Sequence, residues 1–382
     1  MTTALHTTAF KAQTHSKHRF QNLYGLLDDD LLIQSWGQLN KRSAPGIDGV
    51  TAEDFKHRLS DNISRLSTSL VTKNFRVSDV KRVFIPKADG KQRPLGLPTL
   101  DDKLVQQGVS QILQSIWEQD FLCNSYGYRP KKSAHQAVQS LHLNLQFKGY
   151  GYIVEADIKG FFNNMDHKWL MRMLALRIDD KALLNLINQW LKVSTKTPDG
   201  RFEKPVSGTP QGTVISLVLA NVYLHYALDL WFEKRVKPRL KGRAMLIRYA
   251  DDFVVAFQYR TEAQEFYREL PDRLKKFNLE VAPEKTHMKR FSRFHPSRAR
   301  SFQFLGFEFY WGTDRNDEPR VRRITATKKH KATLRELYQW IKLNRSRRLN
   351  HLMPQLRRKL VGFKNYFGLP DNSRSLGHIY DF

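Results

Sequence analysis

Two adjacent carboxylates, Asp251 and Asp252, stand between apolar runs, Met245-Leu246-Ile247 before them and Phe253-Val254-Val255-Ala256-Phe257 after. Both runs read as buried strands, so Tyr249-Ala250-Asp251-Asp252 is the turn between them. Whatever the chain folds into must carry two like charges at the edge of a core. Burying one carboxylate is costly, and burying two side by side is worse unless a cation neutralises them. That alone makes the pair a candidate metal site. The competing reading is an acidic turn that faces water.

A second acid strengthens the first. Tyr152-Ile153-Val154-Glu155-Ala156-Asp157 reads as a strand ending at Asp157, after which Lys159-Gly160 turns the backbone toward Phe161-Phe162. If this strand pairs with the Asp251-Asp252 hairpin, three carboxylates converge on one rim. Such a rim can hold two divalent cations about 3.5–4 Å apart, with positions open for phosphate oxygens and a hydroxyl. Magnesium suits an all-oxygen donor set, with manganese as a substitute. The lone Cys123 excludes a disulfide framework and a cysteine-based zinc site.

The charge balance points to the partner. Against 37 Asp and Glu stand 64 Lys and Arg, a net charge of +27. An excess of this size suits a polyanion, and clustered cations bind nucleic acid through its phosphates whatever the sequence. No stretch approaches a membrane span, and Met1 to Phe20 lacks the apolar core of a secretory leader. A cytoplasmic protein with no membrane partner is expected.

Apolar spacing from Phe20 to Lys73 (Leu23, Leu26, Leu27, Leu31, Leu32, Trp36) predicts helix, broken by the Ala44–Gly49 turn chemistry. Val80 to Leu97 predicts a hairpin turning at Ala88-Asp89-Gly90, and helix resumes from Asp101. From Pro319 onward the acids are Glu336, Asp371 and Asp381 alone, amid crowded Arg and Lys. There, apolar residues at Leu334, Leu337, Tyr338 and Ile341, and at Leu349, Leu352, Leu356 and Phe363, predict a helical module with one packed and one basic face.

The motifs together resemble a reverse transcriptase of the group II intron-encoded kind. The resemblance runs in order through Ala44-Pro45-Gly46-Ile47-Asp48-Gly49, Ile85-Pro86-Lys87 with Arg93-Pro94-Leu95-Gly96, and Ser125-Tyr126-Gly127-Tyr128-Arg129-Pro130. It continues through Asp157, Thr209-Pro210-Gln211-Gly212, Tyr249-Ala250-Asp251-Asp252 and Phe304-Leu305-Gly306-Phe307. It implies an α+β right-hand polymerase: an N-terminal extension and the start of the fingers over 1–75, fingers and palm over 76–318, and a basic helical thumb over 319–382. It also implies roles. Asp157, Asp251 and Asp252 would be the catalytic metal ligands, with Ile158 lending its backbone carbonyl to two magnesium ions. Lys87 and Arg93 would meet the triphosphate, with Lys81 and Arg82 as further basic candidates. Phe162 would exclude a ribose 2′-hydroxyl, leaving Phe161 to the core, and Gln211 would lie near the new base pair. The partners implied are an RNA template, a DNA or RNA primer, deoxynucleoside triphosphates and a cognate structured RNA.

Two departures stand out. Thr213 and Leu217 occupy positions where the family has Gly and Pro. The sequence also stops at Phe382, which leaves no room for a DNA-binding or nuclease domain and suggests a shortened enzyme adopted for phage defence or repair. A maturase-like RNA-binding protein with little polymerase activity is the alternative, and self-primed synthesis a third.

Overall fold

The computed structural model describes residues 2–86, 90, 92–209 and 212–381. An unforeseen helix, α1 (Thr3–Thr14), begins the chain and buries Leu5 and Ala12. The helical spacing expected from Phe20 resolves into shorter pieces. A 3-10 turn covers Tyr24–Leu26, and α2 (Asp29–Gln38) starts only where the Asp28 side chain accepts from Leu31 N at 2.9 Å. Then α3 (Ala52–His57) begins at a Thr51–Asp54 capping box, and α4 (Leu59–Val71) follows. Leu23 and Leu27 are buried without being in an α-helix, because the loop itself lies against the core.

The expected hairpin is β1 (Val80–Pro86) with β2 (Gln92–Leu97), antiparallel with Ile85 opposite Arg93. Its tip residues Lys87, Ala88, Asp89 and Lys91 lie outside the described residues. Next come α5 (Leu100–Trp117), α6 (Ala134–Phe147), β3 (Tyr152–Asp157), α7 (Phe161–Asn164), α8 (His167–Ala175) and α9 (Lys181–Lys192). Helix α5 is the central rod: Leu104, Val105, Val109, Ile112, Leu113 and Ile116 are wholly buried beneath α1 and α2. Short strands β4 (Thr195–Lys196) and β5 (Phe202–Glu203) extend the hairpin sheet.

Helix α10 (Ser216–Leu224) runs on through π turns at His225–Asp229 and Phe232–Val236. Strands β6 (Ala244–Tyr249) and β7 (Asp252–Phe257), helix α11 (Arg260–Lys275) and strand β8 (His287–Arg290) complete a four-stranded sheet, ordered β6-β7-β3-β8 and antiparallel throughout. Both of its faces are covered. Phe253, Val255 and Phe257 of β7 enter the larger core with Val154 and Ala156, while Val254 and Ala256 enter a second core with Ile153. A strand buried on both sides needs an unbroken apolar run rather than alternation, which is the pattern the sequence shows.

A last sheet, β11-β10-β9, is made by β9 (Phe302–Phe304), β10 (Phe307–Thr313) and β11 (Pro319–Thr325), before helices α12 (Thr327–Asn344), α13 (Leu349–Phe367) and α14 (Ser373–Tyr380). This corrects the helical module expected from Pro319: its first seven residues pair with β10, and helix begins at Thr327. The packed face expected of it is only partly covered: Leu334, Leu352, Leu356 and Phe363 are half-buried, the last against the second core. Leu337 is buried, but Tyr338 is 54% exposed and Leu349 70%. The fold class is α+β as expected. Among the described residues no helix is long and apolar enough to cross a membrane.

Candidate active site

The pairing on which the sequence argument depended is present. β3 and β7 run antiparallel with Asp157 directly opposite Asp252, and Asp251 occupies the turn just before β7. Because Asp157 ends one strand and Asp252 begins the other, all three acids share one rim of the sheet. Two residues in the turn, Ala250 and Asp251, connect β6 to β7, and Ala250 takes the left-handed conformation (φ 57°) that so tight a connection requires.

Burial pushes Asp252 up to about 7, and the charges of Asp157 and Asp251 push in the same direction. Asp251 is raised as well, first by burial and then by Asp157. The rim therefore holds more negative charge than it can solvate, which suits a hard divalent cation with oxygen ligands. Its present arrangement differs from a ligated one. Asp157 pairs with Lys285 Nζ, and among the described residues no three His, Cys, Asp or Glu side chains stand close enough to hold one ion. The donor chemistry fits a cation, provided that Asp157 exchanges Lys285 for it. Asp157 and Asp252, but not Asp251, line an open cavity of about 540 Å³ whose other walls include Glu155, Glu284, Lys289 and Lys328.

Of the residues expected at a nucleotide, Arg93 and Phe162 have described positions near the rim. Arg93 lies exposed on β2, and its charge acts on both Asp251 and Tyr128. Phe161 is buried while Phe162 is partly exposed beside it, the division of labour expected of the pair. Ile158 follows Asp157 with its side chain buried, leaving its backbone at the end of the rim strand. The 207–209 loop is fastened to the same place: Thr209 N donates to Phe162 O and Gly208 N to Met165 O, each at 2.8 Å. A Cβ on Gly208 would come within 2.6 Å of the Phe162 and Asn163 carbonyls. Lys87 and Gln211 lie outside the described residues. Lys81 is exposed on β1, whereas Arg82 pairs with Glu203. Thr213, the first departure, has its hydroxyl against Ser216 at the start of α10, and Leu217, the second, is 37% exposed.

Three residues at the site were given no role by the sequence, although Tyr128 belongs to the Ser125–Pro130 block. Lys285 reaches Asp157 from 128 positions away, and nothing local announces it. Tyr128, with a left-handed φ of 58°, sets its ring 6.4 Å from those of Phe162 and Tyr249. Arg248 had a signal, since a cation inside an apolar strand demands a buried partner. A second charged region spans α12, α13 and the turn between them: Lys328, Lys329, Lys331 and Arg335 lie on α12, Arg347 and Arg348 in the turn, and Arg357 and Arg358 on α13, in helices that bury little.

Residues 85–309 match the family model described as reverse transcriptase (RNA-dependent DNA polymerase). The protein YkfC of Escherichia coli is 32% identical over 291 residues, covering 68% of this chain and 76% of that protein. The group II intron-encoded protein LtrA of Lactococcus lactis is 30% identical over 354 residues, covering 76% of this chain and 56% of LtrA. An uncharacterized 91 kDa protein in the cob intron of Schizosaccharomyces pombe is 34% identical over 215 residues, covering 56% of this chain but only 26% of that protein. The chain thus spans about three quarters of the first relative, about half of the second and about a quarter of the third.

Proposed function

The chain belongs to the reverse transcriptase family, and from that premise we propose that it is an RNA-directed DNA polymerase that adds deoxynucleotides to a primer 3′-hydroxyl. The observation that carries this reading is the register placing Asp157 opposite Asp252 with Asp251 beside it. A protein that only bound RNA would have no use for three acids on one rim, two of them with pKa values raised by burial.

Two magnesium ions bound there would supply activation of the 3′-hydroxyl and charge stabilisation for the departing pyrophosphate. Asp157, Asp251 and Asp252, with the Ile158 carbonyl, would hold them. Arg93, and Lys87 six positions before it, would bind the triphosphate, where negative charge accumulates as the bond to the leaving group breaks. Phe162 would lie beneath the sugar and reject a 2′-hydroxyl by bulk. Gln211 would contact the new base pair. The helices from Thr327 onward act as a thumb that grips the primer–template duplex by its phosphates.

A maturase-like reading draws support from those same helices, because an exposed cationic face serves a structured RNA as well as a duplex. Primer extension on an RNA template, with magnesium and the four deoxynucleotides, separates the two. Extension by the wild type and none by Asp251→Asn/Asp252→Asn supports the polymerase. Equal extension by both proteins removes the assignment of the acids. No extension by either, with tight RNA binding retained, favours the maturase.

A further inference from the structure

The acidic turn has an unfavourable backbone at Ala250, a residue that seldom adopts a left-handed conformation, so something must hold it. Directly beneath lies Arg248, which has no exposed side-chain surface, paired with Asp229, which has none either. The pair is two-pronged: Arg248 Nε donates to Asp229 Oδ1 at 2.8 Å and Nη2 to Oδ2 at 2.6 Å. Nη1 is thereby aimed, and it donates to the Ala250 carbonyl and to Asn221 Oδ1, both at 3.0 Å. Asn221 in turn donates from Nδ2 to the Gly127 carbonyl at 2.8 Å.

The main chain repeats the connection. Tyr126 N donates to Arg248 O and Arg248 N to Asn124 O, each at 2.9 Å. Gly127 presses so close to the turn that a Cβ there would lie 2.2 Å from Ala250 N. The π turn at His225–Asp229 contributes too. At 3.6 residues per turn, eight residues of α-helix would leave Asp229 roughly 80° round from Asn221, and the wider π turn brings both side chains onto one guanidinium.

An arginine buried in this way is a poor choice for stability alone, since a well-packed apolar pair would serve as well. A lysine could match the charge but not the fork that reaches Asp229, Asn221 and Ala250 together. We propose that Arg248, with Asn221 and Asp229, is a positioning device for the acidic turn. It fixes the Ala250 carbonyl, hence the direction of Asp251 and Asp252, and locks that turn to the Gly127-Tyr128 wall so that both sides of the site move as one body. This rests on the polymerase reading of the rim, but it concerns what aims the acids.

The test uses Asn221→Ala, which breaks the link without stranding a buried charge, and Arg248→Lys, which keeps the charge and loses the fork. In single-turnover extension the expected fall in rate is about 10- to 100-fold for Asn221→Ala and more for Arg248→Lys, with apparent nucleotide affinity within about threefold. Amide exchange at residues 250–253 should speed up at least about tenfold while α5 keeps its protection. A merely structural pair predicts otherwise: a lower melting temperature, an unchanged rate per folded molecule and faster exchange throughout, and that result overturns the proposal. If the wild type extends nothing, the polymerase reading fails on its own. The exchange measurement still decides, because unaltered exchange at 250–253 in Asn221→Ala rejects the device.

Discussion

At the rim of the β6-β7-β3-β8 sheet, negative charge is held inside the protein; along α12 and α13, positive charge is held out in water. Asp252 sits where burial first, and then the charges of Asp157 and Asp251, lift its pKa to about 7, at the head of a strand whose other residues are all buried. The cations of α12 and α13 ride on helices in which Leu337, Asn344 and Phe367 are the buried residues. The two regions should therefore fail in different ways. Charge at the rim acts through geometry and a local cation, so small changes there should alter rate. Charge on the helices acts through counterion release, so changes there should alter affinity and salt dependence.

The largest effect is expected at the rim. Asp251→Asn/Asp252→Asn should slow single-turnover extension by at least about 10³-fold, equivalent to about 4 kcal/mol, with duplex affinity changed less than threefold. A loss seen only in affinity would erase the contrast between the regions.

Stability of the metal-free protein comes next. Asp252 is held near 7 against an ordinary 3.8, so the folded state keeps its proton where the unfolded chain releases it. The stability this contributes is full below about pH 4 and is lost as pH rises to about 7. Asp252→Asn should flatten that loss, making the variant about 2–4 kcal/mol more stable than wild type at pH 8 without divalent metal. Urea titrations at pH 4, 6 and 8 measure it. Magnesium should raise the wild type at pH 8 and leave the variant nearly unmoved. Equal pH profiles for the two proteins would show that Asp252 is not electrostatically frustrated.

In the basic C-terminal region, changing Arg347 and Arg348 of the α12–α13 turn together with Arg357 and Arg358 of α13 to Gln should weaken duplex binding about 10- to 100-fold near 0.1 M salt. The slope of log affinity against log salt should become shallower by up to about 3–4. Extension rate at saturating protein should stay put. An unchanged slope would mean that the duplex is gripped elsewhere. The smallest effect is expected at Phe162→Ala, where discrimination against ribonucleotides should fall about tenfold or more, on the order of 1–3 kcal/mol. Competition between deoxy- and ribonucleotides reads this directly, and unchanged selectivity would take the gate role from Phe162.

The same contrast decides what could be read from the sequence. That Asp157, Asp251 and Asp252 share one rim was legible because acids beside unbroken apolar runs are costly, and the burial of Phe161 with partial exposure of Phe162 was legible beside them. The β1–β2 hairpin and α5 were legible from local periodicity. The places of Lys285 and Tyr128 were not, because one reaches Asp157 across a long stretch of chain and the other turns its ring toward Phe162 and Tyr249 on a left-handed backbone. The C-terminal segment misled twice. Composition changes at Pro319, but composition does not distinguish a basic strand from a basic helix, and β11 pairs with β10 before α12 begins. Helical spacing also put Tyr338 and Leu349 on the packed face, where the structure leaves them exposed beside half-buried Leu334, Leu352 and Leu356.

One experiment tests the central claim most directly: single-turnover extension of a primer on an RNA template, with duplex affinity measured on the same samples, for wild type, Asp251→Asn/Asp252→Asn and the four-arginine variant. The account predicts a crossed result, in which the rim variant binds and does not extend while the helix variant binds weakly and extends at the wild-type rate once saturated. Extension by the rim variant at the wild-type rate would contradict it.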